Sequence, residues 1–292
     1  TGGAVAAGFH GVEDIEVVIL YPTGKVSKVQ ELQLTTLGGN VTTLELHGNF
    51  DDCQALAKDA LADSDLQTKV NLTSANSINV ARWLPQQFYY FYALKQWDGE
   101  PPVVSVPSGN FGNLASGILA HISGLPVSKF IAACNANDVV TRFLETEDYE
   151  PRQSVTTLSN AMDVGSPSNF VRILEIFGNR FIDIKEKLES VSISDETTAA
   201  TMRDVYAQSN YILDPHGAVG YRALDDYLSV HKGKKGIVLE TAHPVKFDPV
   251  TDIIGTQGNI PTSVKDLFSK EKVSIEMNND YGQLKEILLS KI

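Results

Sequence analysis

Apolar residues arrive along this chain in two alternating rhythms. Short, near-continuous runs rich in β-branched residues predict strands at Ile15–Tyr21, Val41–His47, Val103–Val106, Lys129–Cys134 and Gly236–Thr241. Between them, apolar positions recur at helical spacing. Val29, Leu32 and Leu34 mark a helix over Ser27–Leu37, and Leu56, Ala57, Ala60 and Leu61 follow an Asn49 cap with Asp52 three positions on. Leu114, Gly117, Ile118, His121 and Ile122 predict another helix, as do Phe170–Phe177, a segment capped by Ser194 and led by Asp195 and Glu196, and Gly217–Leu228. Strand and helix in alternation predict the α/β class, with parallel sheets covered by helices on both faces.

Three stretches depart from that rhythm. Trp83–Trp97 gathers Phe88, Tyr89, Phe91 and Tyr92 at helical spacing, which predicts a buried core helix ended by Asp98-Gly99-Glu100-Pro101-Pro102. Residues 144–169 are rich in Pro, Ser, Thr and acids and read as a long surface excursion. The chain opens on Thr1-Gly2-Gly3-Ala4-Val5-Ala6-Ala7-Gly8-Phe9, whose small residues suit a helix packed closely on a sheet. Thr1 and Gly2 suit an anion-holding turn at its start, and the stretch reads as the interior of a longer protein.

Composition narrows the function classes. With 42% hydrophobic and 21% charged residues the chain has an ordinary globular balance. A net charge of −12 opposes binding to phosphate backbones and anionic membranes, so neither nucleic acid nor a membrane is an expected partner. Two cysteines, Cys53 and Cys134, are too few for a disulfide framework and lack zinc-site spacing, which fits a reducing, cytoplasmic setting and no metal.

Three clusters carry candidate chemistry. Ser105-Val106-Pro107-Ser108-Gly109-Asn110-Phe111-Gly112-Asn113 joins a strand end to a helix start. Its two glycines let backbone N–H groups turn inward at the positive end of a helix, an arrangement suited to one phosphate group. The dinucleotide and P-loop fingerprints are both absent, and a strand-to-helix turn without ligand is the competing reading. In the second cluster, at the end of a further predicted strand, Asn76 and Asn79 precede Arg82, whose fork matches phosphate oxygens; simple capping of the next helix is the alternative. The third, Glu240-Thr241-Ala242-His243-Pro244-Val245-Lys246-Phe247, lies at the carboxyl end of a strand, where open α/β sheets hold ligands. There the Thr241 hydroxyl can reach a heteroaromatic nitrogen. His243, like His216 in Asp214-Pro215-His216-Gly217, serves either proton transfer or structure.

Taken together, these clusters resemble the threonine synthase family, in its branch from enteric bacteria and fungi. The resemblance runs through Ser-Ala-Asn-Ser-Ile-Asn (74–79), Pro-Ser-Gly-Asn-Phe-Gly (107–112), Leu-Ser-Asn-Ala-Met-Asp-Val (158–164), Asp-Pro-His-Gly-Ala-Val (214–219) and Thr-Ala-His-Pro-Val-Lys-Phe (241–247), in that order. It implies the tryptophan-synthase-β-like fold of type II pyridoxal 5'-phosphate (PLP) enzymes, with a smaller α/β domain over 1–80, truncated at its start, and a larger one over 81–292. It also implies the small-molecule substrate O-phosphohomoserine, converted with water to threonine and phosphate. By the same resemblance Gly109, Asn110, Phe111, Gly112 and Asn113 hold the cofactor phosphate, and Thr241 faces the pyridine nitrogen. Asn76 and Arg82 hold the substrate phosphate, and Thr1 and Gly2 grip its amino-acid end. The family's PLP-bearing lysine lies upstream of Thr1, so the chain as it stands is expected to be inactive. Monomer and homodimer both stay open. A serine or threonine dehydratase shares the fold and the phosphate loop, although its substrate gives Arg82 no phosphate to bind; a non-catalytic PLP- or phosphate-binding fragment is the reading from outside enzyme chemistry.

Overall fold

The computed structural model describes residues 2–256 and 258–291. In chain order its strands are β1 (Val17–Pro22), β2 (Val41–His47), β3 (Val103–Pro107), β4 (Lys129–Cys134), β5 (Leu188–Ser192), β6 (Gly236–Val238) and β7 (Ile275–Asn278). They form two wholly parallel sheets, ordered β1-β2-β7 and β5-β4-β3-β6, as the alternating pattern predicts. Two compact units contain them: Thr1–Asn76 with Val245–Asp248 and Gly258–Ile292, and Ser77–Pro244 with Pro249–Gln257. Residues after Gly258 join the first unit because β7 adds to β2, with Leu44 opposite Ile275 and His47 opposite Asn278.

In the first unit, local chemistry explains where helices begin. Ser27 accepts from the Gln30 N–H while the Gln30 side chain accepts from the Ser27 N–H, and Asn49 and Asp52 make the same reciprocal pair. Leu44 and Leu46 of β2 are fully buried against the Phe50–Ala62 helix, β7 and the Tyr281–Leu289 helix. Gly2 opens the helix Gly2–Phe9, and a Cβ there would stand 3.6 Å from Ile19 Cγ2 of β1 and 3.0 Å from Leu34 Cδ2, so the helix packs closely on the sheet and also on the neighbouring helix. Thr1 lies outside the described residues. The strand expected immediately ahead of Asn71 does not form, since the chain turns out of the short helix Ser64–Gln67 with Val70 N–H bonded to the Leu66 carbonyl.

The second unit corrects the aromatic helix. Trp83–Lys95 is helical, but only Trp83, Gln87 and Tyr90 are buried, while Phe88, Tyr92 and Phe91 are 71%, 67% and 41% exposed. Aromatics run around the whole helix, and only one stripe meets the helix Gly112–Ile122. There Tyr90 lies so close over Gly117 that a Cβ would sit 2.5 Å from its ring. The excursion begins later than expected, because Val139–Thr146 is an amphipathic helix. Beyond it the loop is pinned: Arg152 N–H bonds the Gly165 carbonyl at 2.9 Å, and a Cβ on Gly165 would lie 1.8 Å from the Arg152 carbonyl oxygen.

Candidate functional site

Between β3 and the helix Gly112–Ile122, residues Ser108–Asn113 make the turn that the glycine spacing singles out. Ser108 anchors it, its N–H bonding the Ala133 carbonyl at the end of β4 and its hydroxyl the Val106 carbonyl. A Cβ on Gly109 would stand 2.5 Å from Met162 Cα, and one on Gly112 would stand 2.6 Å from Ser77 Cβ, so neither position admits a side chain. Phe111 takes the left-handed conformation at φ 61° and buries its ring edge-on against Phe170. Among the described residues the N–H groups of Gly109 through Asn113 make no backbone hydrogen bond, which leaves a row of donors at a helix N-terminus.

The two asparagine side chains of the turn face protein rather than open space. Asn110 Oδ1 accepts from Ser168 N–H at 2.6 Å, and Asn169 Nδ2 donates to the Asn110 carbonyl at 2.9 Å and to Ser77 Oγ at 3.1 Å. Asn113 Oδ1 accepts from Tyr89 and lies 2.8 Å from the Tyr90 hydroxyl. Burial pushes both phenols well above their ordinary range, so they stay protonated donors. The asparagines therefore shape the turn, and its donors are backbone.

Arg172 and Asn169, which the sequence did not reveal, hold the neighbouring segment. Arg172 donates to the carbonyls of Ser77 and Ile78 and to Asn169 Oδ1, and its guanidinium stacks over Trp83. The only sequence signal was an Asn-x-x-Arg at a helix start. Arg82 ends the short turn Val80–Arg82, which Asn79 caps through Ala81 N–H at 3.0 Å. Its Nε is buried with no hydrogen-bond partner, an orphaned cationic donor. Asn76 belongs to the first unit and Arg82 to the second.

Behind the turn, Asp163 accepts from Asn135, Asn137, and the hydroxyl and N–H of Thr157. Burial pushes its carboxyl up from the ordinary carboxylate value, and the Thr157 and Asn135 donors hold it back. Asp214 caps the helix Pro215–Val230 and takes His216 Nδ1 at 2.7 Å, while His216 Nε2 lies 3.1 Å from Ala161 N.

Thr241 is exposed and follows β6, the strand beside β3, where Leu239 N–H bonds the Ser105 carbonyl. The turn after β3 and Thr241 thus share the carboxyl edge of adjacent parallel strands. Its neighbour Glu240 accepts from the Tyr211 hydroxyl at 2.5 Å and from Asp214 N–H at 3.2 Å, in the wall of an open cavity of about 740 Å3 that Val205 and Tyr221 also line. Burial, reinforced by the negative charge of Asp214, pushes the Glu240 carboxyl up to about 7. Among the described residues no cluster of three His, Cys, Asp or Glu is placed to hold a metal, and no helix is long and apolar enough to cross a membrane.

Known proteins resemble this chain in sequence and fold. The family described as pyridoxal-phosphate dependent enzyme matches residues 1–240, and the threonine synthase C-terminal family matches residues 217–288. A threonine synthase of Serratia marcescens is 46% identical over 99% of this chain and 67% of its own length. The crystal structure of the Escherichia coli threonine synthase superposes with a TM-score of 0.94 at 44% identity, over 100% of this chain and 68% of that one. PLP-bound threonine synthase from Brucella melitensis superposes with a TM-score of 0.86 at 32% identity, over 99% of this chain and 68% of that one. The chain thus spans about two thirds of the length of these relatives.

Proposed function

Because the chain belongs to the threonine synthase family of pyridoxal-phosphate-dependent enzymes, we propose that the complete enzyme converts O-phosphohomoserine and water to threonine and phosphate around the Ser108–Asn113 turn. The observation that carries the reading is that row of backbone N–H groups, held open by two glycines whose missing Cβ atoms nothing could replace. Such a cradle fits a phosphate monoester, and in this reading Gly109, Asn110, Phe111, Gly112 and Asn113 hold the cofactor's phosphate through backbone N–H. PLP supplies the electron sink for the reaction.

Further binding roles fall to residues of this chain. Thr241 presents a hydroxyl to the pyridine nitrogen, a weaker counterpart than a carboxylate, which moderates the sink and suppresses side reactions. Arg82, its Nε buried and unpaired, takes the phosphate that leaves the substrate, assisted by Asn76. Thr1 and Gly2 contact the amino-acid end of the substrate. Cys53 and Cys134, both buried free thiols pushed up to about 12 and about 11 by burial, support the reducing, cytoplasmic setting of the proposal.

Equilibrium dialysis of the chain against inorganic phosphate and PLP tests the reading. Gly109→Val should weaken both ligands by about tenfold or more, since backbone can no longer approach the anion. Arg82→Ala should leave the cofactor's affinity within about twofold, because in this reading Arg82 binds the phosphate of the substrate and not that of the cofactor. Unchanged affinities in Gly109→Val would reject the turn as the phosphate site.

A further inference from the structure

We propose that Asp214 and His216 form a tautomer lock that positions the floor of the Ser108–Asn113 turn. They act as positioning residues, and the inference rests on the reading of that turn as the anion site. The donor and acceptor roles follow from the partners. Asp214 is 1% exposed and its Oδ1 lies 2.7 Å from His216 Nδ1, so a carboxylate that can only accept draws the imidazole proton to Nδ1. The same oxygen accepts the His216 N–H at 2.8 Å and the Gly217 N–H at 3.4 Å, which fixes the carboxylate at the start of the Pro215–Val230 helix. Opposite, Ala161 N–H can only donate, and it lies 3.1 Å from His216 Nε2, which must therefore present its lone pair.

What the histidine holds is the short turn Asn160–Met162, and Met162 is the residue whose backbone touches Gly109. A rigid line of contacts thus runs from Asp214 through His216, Ala161 and Met162 to the turn. The other side of the segment is fixed by Asp163, whose carboxylate gathers Asn135, Asn137 and Thr157, so His216 supplies the missing support on the Ala161 side. An imidazole in the other tautomer would set N–H against N–H and push Ala161 and Met162 away from Gly109. Neither His216 nor Asp214 touches the ligand in this account.

Imidazole-labelled NMR of the 292-residue chain comes first: Nδ1 should carry the proton and Nε2 should not, and the opposite tautomer would overturn the lock. His216→Leu keeps bulk but removes the acceptor, whereas the amide oxygen of His216→Gln reaches the same N–H. The leucine variant should weaken inorganic phosphate about tenfold and speed amide exchange at Ala161, Met162 and Gly109–Asn113, and the glutamine variant should stay within about twofold of the parent. Equal loss in both variants while both remain folded, or parental affinity and exchange in the leucine variant, would overturn the proposal. Gly109→Val separates the two readings. If it leaves phosphate affinity unchanged, the turn is not the anion site, and amide exchange in His216→Leu still decides the lock. If it abolishes phosphate binding while His216→Leu does not, the turn stands and the lock falls. Should the leucine variant fail to fold, the tautomer of the parent chain and amide exchange in Asp214→Asn decide the matter.

Discussion

Glu240 carries a carboxyl whose proton affinity is set by its place in the fold. Its Oε1 would lie 2.6 Å from a Cβ on Gly217, so the Pro215–Val230 helix closes over it, and burial pushes it from 4.5 to about 7. Since the folded chain then binds this proton more tightly than the unfolded chain, the stabilisation is complete below pH 4.5 and is lost as pH rises through about 7. Glu240→Gln should flatten that decline by an amount on the order of 1 kcal/mol, because solvent still reaches the carboxyl. Urea midpoints between about pH 5 and about pH 8 measure it, and equal slopes in both proteins would refute the account. At this scale the sequence showed where backbone is forced: Gly109 and Gly112 are local requirements. It hid Arg172, Asn169 and Asp163, whose partners stand as far as 95 residues away, as for Arg172 and Ser77, and whose roles no spacing encodes.

Helices and strands were legible wherever their determinants sit within a few residues. Val41–His47 forms as read, and Asn49 and Asp52 make the expected reciprocal cap, Asn49 N–H lying 2.7 Å from Asp52 Oδ2 and Asp52 N–H 3.0 Å from Asn49 Oδ1. Removing it in Asn49→Ala should cost about 1 kcal/mol, read as a lower urea midpoint with an unchanged denaturant slope. A midpoint within experimental error of the parent would show that tertiary packing alone holds that helix. The aromatic helix is more exposed than its pattern predicts, because periodicity tells which residues share a face and says nothing of what covers it. Phe88 and Tyr92 share a face that lies open. β5 escaped notice for a related reason: Leu-Glu-Ser-Val-Ser is too polar to read as buried, yet β4 supplies all its pairing on one side.

Across the whole molecule, the first unit depends on contacts between distant parts of the chain. Lys272 places its ammonium 2.6 Å from Glu31 and 2.6 Å from Glu45, and Glu45 is 6% exposed in the middle of β2. Lys272 holds the Glu45 carboxyl below its ordinary value, so the pair stabilises the fold above pH 4.5 and loses that effect as pH falls. Lys272→Met should strand a buried carboxylate and cost about 1–3 kcal/mol at neutral pH, with a deficit that shrinks on acidification. Urea titration at both pH values reads this, and a deficit independent of pH would mean that lost packing, not charge, is responsible. The pairing of β2 with β7 also sets a timetable for synthesis. Glu45 and Lys272 are 227 residues apart, and at translation rates of about 5–20 residues per second that is roughly 10–50 s on the ribosome. For that interval β2 stands as a bare sheet edge with Leu44 and Leu46 incompletely covered, and the three-stranded sheet is completed only when the seventh strand emerges.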